Sequence, residues 1–226
     1  MSIEPETPEN KPVRRRQQQR AIDTRERIVE AAIAEFAARG FEAASTRAMA
    51  DAADAKHTLV TYHFNGKEGL WQAAMDRTVK TFTTKQRERL AGLHGVDDAV
   101  KLRLVLEDFV RYSAGNLNLH RLMTHSSSGA SPQLDAMVGD YLKGYFHLVA
   151  DLIRSCQAKG QFVEGDPHHL HYLFIGAATR IFMQAPEAAR IIGQSPLEPA
   201  FIDRHVECCL ALFFCEPPKK RDRKGS

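Results

Sequence analysis

The chain has 226 residues, 43% of them hydrophobic and 26% charged, which is ordinary for a soluble protein, enough for a packed core, and fits one or two domains. No apolar run approaches the ~20 residues of a membrane span, and the polar stretch 1–19 lacks the apolar centre of a secretory signal, so both of those classes are excluded. The net charge of +3 is small, but basic residues gather at Lys11, Arg14, Arg15, Arg16 and Arg20, as phosphate-neutralising clusters do, and again at Lys219, Lys220, Arg221, Arg223 and Lys224, where a flexible solvated tail is the preferred reading.

Residues 1–20 read as a disordered basic arm, since the first twelve are rich in Pro, Glu and Asn. A first helix follows over about 24–39. Its apolar stripe is Ile22, Ile28, Val29, Ala32, Ile33 and Phe36, mostly at three- and four-residue steps. Gly40 closes it as an αL cap, and Phe41 is placed to fold back on the last turn. Two short helical patterns come next, 46–53 and 56–62. Ser45 is the N-cap of the first, and Asp54-Ala55 form the turn between them. Two helices joined so tightly form a helix-turn-helix unit, whose second helix can lie in a DNA major groove. Asn65-Gly66 is a turn signal, and a fourth helix then runs to about Leu90 with Leu70, Trp71, Ala74, Met75, Val79 and Phe82 on its stripe.

Everything beyond Val96 reads as helical. Asp97 or Asp98 caps a helix reaching Tyr112, and a shorter one covers about 118–124. Ser131-Pro132 and Asp166-Pro167 are each an N-cap followed by Pro at the first helical position, opening helices to about 159 and 184. Pro186, Pro196 and Pro199 break up the segment before a last helix at about 199–214. No alternating β pattern is present. The fold class is all-α with about nine helices: a three-helix DNA-binding domain of helix-turn-helix type at 21–82, a helical bundle at 83–215 that a family resemblance makes the ligand-binding and dimerisation domain, and a disordered basic tail at 216–226.

The ordered set Thr24-Arg25, Ile28, Ala31-Ala32, Phe36-Ala37, Gly40-Phe41, Ser45-Thr46-Arg47, Met49-Ala50, Ala53, Leu59, Tyr62-His63-Phe64, Lys67-Glu68 and Leu70 resembles the DNA-binding domain of the TetR family of transcriptional repressors. The resemblance covers about a quarter of the chain. It departs from the family pattern at Asp54, where the inter-helix turn usually has Gly, at Lys56, where a small hydroxyl residue usually opens the recognition helix, and at Thr61, a commonly aromatic position. What it implies is a homodimeric repressor whose heads bind a palindromic double-stranded operator and whose body holds a small-molecule effector. Ligand binding would tilt the fourth helix and spread the heads.

Candidate DNA contacts are Lys56, His57, Thr58 and Thr61 on the exposed side of the recognition helix, with Leu59 and Val60 inward. Lys donates to guanine O6 and N7, and Thr meets a thymine methyl. Ser45, Thr46 and Arg47 in the first turn of the preceding helix, Tyr62 by family resemblance, and Lys67 at a helix start where free N–H groups favour phosphate complete the set. Arg14, Arg15 and Arg16 are placed to follow the backbone or enter a minor groove. For the ligand pocket the candidates are Phe109, Tyr112, His120, Met123, Tyr141, Tyr145, Phe174 and Arg180, with plain core as the alternative for each. The two last long helices are apolar over more than one stripe and must bury both, so Gly176, Ala177, Phe201 and Leu212 are placed at a dimer interface.

The cluster His168-His169-x-His171 has divergent side chains and no further ligand at i+4 spacing, so no metal is assigned. Cys208 and Cys209 read as packing residues. No cofactor is implied, and the four cysteines, none in a C-x-x-C pair, fit free thiols in a reducing cytoplasm, at the nucleoid for a DNA-binding protein. An enzyme is disfavoured, because no phosphate-cradling Gly loop, G-x-S-x-G or H-E-x-x-H occurs. A helical adaptor that keeps the fold without reading DNA, or a regulator without an effector, is the alternative.

Overall fold

Straight-chain residues lose little rotamer freedom in a helix, and residues 13–39 contain neither Gly nor Pro. In the computed structural model, which describes residues 11–127 and 129–215, helix α1 accordingly spans Lys11–Ala43. This corrects the disordered arm expected up to residue 20: Arg15, Arg16 and Arg20 are exposed on a helix. Residues 1–10, the side chain of Arg14 and the tail expected at 216–226 lie outside the described residues. Ile22 is 45% exposed and drops out of the predicted stripe, which begins in practice at Ile28. Gly40 has φ 71° and ψ 175°, so it kinks the helix instead of capping it in the αL well. Phe41 folds back as expected and stacks on Phe36 with ring centroids 5.9 Å apart.

The chain divides into two compact units at 77/78, where the sequence placed the division at 82/83. In the first unit, α2 (Thr46–Ala52) and α3 (Thr58–Phe64) follow α1, and α4 (Lys67–Met75) packs on α1 and α3. The core is Ile28, Val29, Ala32 and Phe36 of α1 against Met49, Ala50, Val60, Phe64, Leu70, Trp71 and Met75. A π-helical turn, Asp76–Lys80, comes after α4 and contains the unit boundary.

The second unit contains α5 (Thr81–Gly92), α6 (Asp98–Gly115), α7 (Leu117–Ser126), α8 (Pro132–Ala136), a second π turn (Met137–Leu142), α9 (Lys143–Ala158), α10 (Pro167–Met183), α11 (Ala185–Ile192) and α12 (Pro199–Phe213). Three expected caps are in place. Asp97 accepts from the Ala99 N–H at 2.9 Å, Ser131 from Leu134 at 3.1 Å and Asp166 from His169 at 2.8 Å. Counting the helices joined by a π turn as one, the described residues form ten, one more than expected. The extra helix is α11. Pro186 sits in its first turn, where a missing N–H costs nothing, so this proline begins a helix rather than breaking one.

Helix α6 is central to this unit and packs on α9, α10 and α12. Its Leu102, Val105, Leu106 and Val110 meet Val149 and Ile153 of α9, Phe174 and Phe182 of α10, and Val206 and Leu210 of α12 in one apolar cluster. The connection between α9 and α10 is fastened by Phe162, which forms a lone antiparallel bridge with Phe214 and stacks on Phe213. No helix among the described residues is long and apolar enough to cross a membrane.

Candidate functional site

The short helix α3 is held from beneath and open above. Val60 is 1% exposed and Phe64 6%, and Arg25 of α1 lies over the Phe64 ring at 5.1 Å. Lys56, His57, Thr58, Thr61 and Tyr62 are exposed, and Tyr62 at 80% is among the most exposed large residues in the molecule. Leu59 is only partly buried. The helix begins at Thr58, so Lys56 and His57 belong to the turn before it and not to its first turn as expected. Asp54 supplies that turn with φ 49°, a left-handed conformation that Asp tolerates better than most residues. The His57 imidazole then reaches the Thr46 hydroxyl, Nε2 to Oγ1 3.0 Å, which ties the turn to the start of α2. Ser45 caps α2 by accepting from the Ala48 N–H at 3.3 Å, and its own N–H donates to Glu35. Arg47 is exposed beside them.

Lys67 differs from expectation. Its ammonium donates to the Glu42 carbonyl at 2.9 Å and lies 4.9 Å from the Phe41 ring centre. The kink at Gly40 carries both partners toward the start of α4, so this cation fastens α4 to α1. Between the two helices, Asn65 closes α3 in the αL conformation and Gly66 follows at φ 112°. Gly69 then lets α4 approach the end of α3. A Cβ there would overlap the Phe64 carbonyl oxygen and lie 3.0 Å from its carbon.

The second unit holds a cavity of about 510 Å³, in the range that metabolite-sized ligands occupy. Of the predicted pocket residues, Phe109, His120, Met123 and Tyr145 line it. The other four do not. The Tyr112 hydroxyl donates to the Thr78 carbonyl at 2.8 Å and its ring stacks on Phe82. Phe174 is buried in the apolar cluster against Phe109 and Phe213. Tyr141 is buried away from the cavity lining, and Arg180 is exposed on the outer face of α10. Thr83, Thr124, Ser127, His171, Tyr172 and Thr179 complete the polar lining, and none of them is among the expected pocket residues. His171 stood in a histidine cluster weighed only for metal. Its ring lies 4.3 Å from that of Phe146, whereas His168 turns aside to His147.

Two features of this cavity are chemical. His120 Nε2 and His171 Nδ1 are buried polar atoms with no hydrogen-bond partner. Burial pushes both imidazoles down to about 4, with the charge of His168 adding to the effect at His171, so both are neutral at pH 7. Burial also raises the Tyr145 hydroxyl, and the carboxylate of Asp108 raises it further. Elsewhere in the unit, the expected interface residues differ in exposure. Gly176 is exposed and Leu212 is 66% exposed, while Ala177 and Phe201 are half-buried. Of the cysteines read as packing residues, Cys209 is buried beside His205, Sγ to Nε2 3.5 Å, and Cys208 is exposed on the other face of α12.

Residues 28–74 match the family described as bacterial regulatory proteins, tetR family, and they span α1 through α4, including the whole helix-turn-helix. Over those residues the chain is similar to the TetR family of transcriptional regulators. Relatives named as HTH-type transcriptional regulators match over most of its length. The transcriptional regulator RutR of Escherichia coli strain K12 is 26% identical over 83% of this chain and 88% of its own. Among solved structures, a TetR-like transcriptional regulator from Rhodococcus sp. RHA1 is similar with a TM-score of 0.60 at 18% identity, covering 84% of this chain and 92% of that one. The fatty acid degradation regulator FadR from Bacillus halodurans gives 0.59 at 19% identity, covering 82% and 97%. These likenesses extend the shared all-helical fold well beyond the TetR-family head.

Proposed function

We propose that the protein is a homodimeric repressor that binds a palindromic operator and leaves it when a small, partly apolar effector enters the cavity of the second unit. The observation that carries this reading is a cavity of about 510 Å³ with two unpartnered buried nitrogens, in a chain that also bears a helix-turn-helix. Left empty, such nitrogens cost free energy that a ligand would recover. In the head, Lys56, Arg47, Thr58, Thr61 and Tyr62 form the reading surface. Thr46, His57, Ser45 and Lys67 hold that surface in shape. Arg14, Arg15 and Arg16 extend it along the DNA backbone as a basic helix. The apolar outer faces of α10 and α12, with Gly176 and Leu212 exposed and Ala177 and Phe201 beside them, make the dimer contact. Four free cysteines fit a cytoplasmic protein acting at the nucleoid.

Selection from random DNA duplexes tests this directly. Enrichment of an inverted repeat with half-sites one helical turn apart, about 34–36 Å or a multiple, is expected. Affinity should fall with salt at a slope of about −0.9 per phosphate neutralised. Failure to enrich any sequence would leave the adaptor reading standing, as would unchanged DNA occupancy after charge-neutral substitution of Arg15 and Arg16.

A further inference from the structure

The cavity's chemistry narrows what it can hold. Among the seventeen described residues that line it, none is Asp, Glu, Lys or Arg. Its polar groups are two imidazoles and the hydroxyls of Thr, Ser and Tyr residues. The Thr179 hydroxyl is already spent on the Ile175 carbonyl, and the Thr124 hydroxyl on that of His120. The two imidazoles are different. His120 is 6% exposed and His171 3%, and each keeps one ring nitrogen without a partner. Aromatic rings surround both: Phe109 meets His120 edge-on, and Tyr145 and Phe146 flank His171. The lining therefore asks for hydrogen bonds and offers no counter-ion.

We propose that the cavity takes an uncharged ligand, an apolar body bearing an amide, ketone or hydroxyl group that satisfies the free ring nitrogens of His120 and His171. This deepens the reading of the cavity as an effector site and rests on it. A neutral imidazole serves either as donor or as acceptor according to its tautomer, so a group with both a donor and an acceptor suits the pair. A carboxylate does not. It would shed its water with no cation to meet it, and the nearby charge on Asp108, already felt at Tyr145, is of its own sign. Asp108 is held by Arg89 and by Gln86 at 3.0 Å, away from the lining.

Matched pairs of probes test the class with the full chain at pH 7.5: phenylacetamide, 4-phenylbutanamide and octanamide, each beside its own carboxylate. Titration by saturation-transfer NMR is expected to give at least one amide a dissociation constant tenfold or more below that of its carboxylate. That preference should disappear in H120L/H171L, or fall stepwise in the two single variants should the double variant not fold. A carboxylate that binds as tightly as its amide overturns the neutral-ligand class, and a preference that survives loss of both imidazoles overturns the part given to His120 and His171; either result leaves the effector site intact. Binding by none of the six probes overturns both.

Discussion

Adding one methyl group at Gly69 separates two opposing physical effects in the head. In a free helix, Gly→Ala gains about 1 kcal/mol from propensity. Here the new Cβ would overlap the Phe64 carbonyl oxygen and sit 3.0 Å from its carbon and 3.7 Å from its Cα. These are backbone atoms. They are fixed by the αL cap at Asn65, whose N–H bonds the Thr61 carbonyl at 2.9 Å, so no side chain can swing away. Helix α3 must instead move off α4. Over-packing of this kind costs about 3 kcal/mol, the upper part of its usual range, which leaves a net loss of about 2 kcal/mol after the propensity gain. For a unit of this size, each kcal/mol lowers the midpoint by about 4–8 °C. The assay is thermal unfolding followed by tryptophan fluorescence, because the chain's single Trp, Trp71, is buried in the head. G69A should melt about 8–16 °C below the parent and bind operator more weakly. An unchanged or higher midpoint would refute the reasoning.

Other expectations follow from the same geometry. Tyr62→Ala should weaken operator binding with no measurable change in melting, since that ring is 80% exposed, whereas Phe64→Ala should cost about 3–5 kcal/mol of head stability in a denaturant titration. For His120 and His171 the ordinary value of 6.5 falls to about 4 in the folded chain. Between those limits the unfolded chain binds protons that the native rings refuse. Their contribution is thus complete above about pH 6.5 and lost as the pH falls toward 4, at most about 3 kcal/mol each. Urea midpoints for H120L/H171L should accordingly change less over that window than those of the parent, and equal slopes would contradict this. Gly176→Trp with Leu212→Asp should convert a sedimenting dimer to monomer at micromolar concentration, and a persistent dimer would place the interface elsewhere.

Local signals were legible in the sequence, and long-range ones less so. Asp97, Ser131 and Asp166 each cap the helix expected of them, because a cap involves only three or four neighbouring residues. The left-handed turn at Asp54 and the Asn65-Gly66 turn are local in the same sense. The cavity is not local. Tyr112 and Tyr145 look alike in sequence, yet Tyr112 spends its hydroxyl on a backbone carbonyl and Tyr145 faces the void. His171 was obscured by its histidine neighbours, and only the packing of α9 against α10 shows that it diverges from them. Pro186 misled because the same residue can end a helix or sit in its first turn. At the amino-terminal side, the expected solvated arm is helical from Lys11, since Arg and Gln are good helix formers and neither Gly nor Pro occurs over residues 13–39.

The two π turns had no sequence signal at all, yet both reach the cavity: Val79 comes from Asp76–Lys80 and Leu142 from Met137–Leu142. A π turn holds one residue more than the α ladder needs. The chain thus carries a surplus residue on two walls of the same chamber. Removing one from the second turn would restore an unbroken α ladder and rotate the face that follows by about 100°. In evolutionary terms, such a chamber can be lined by single-residue insertions into existing helices, with their ends and caps left as they were.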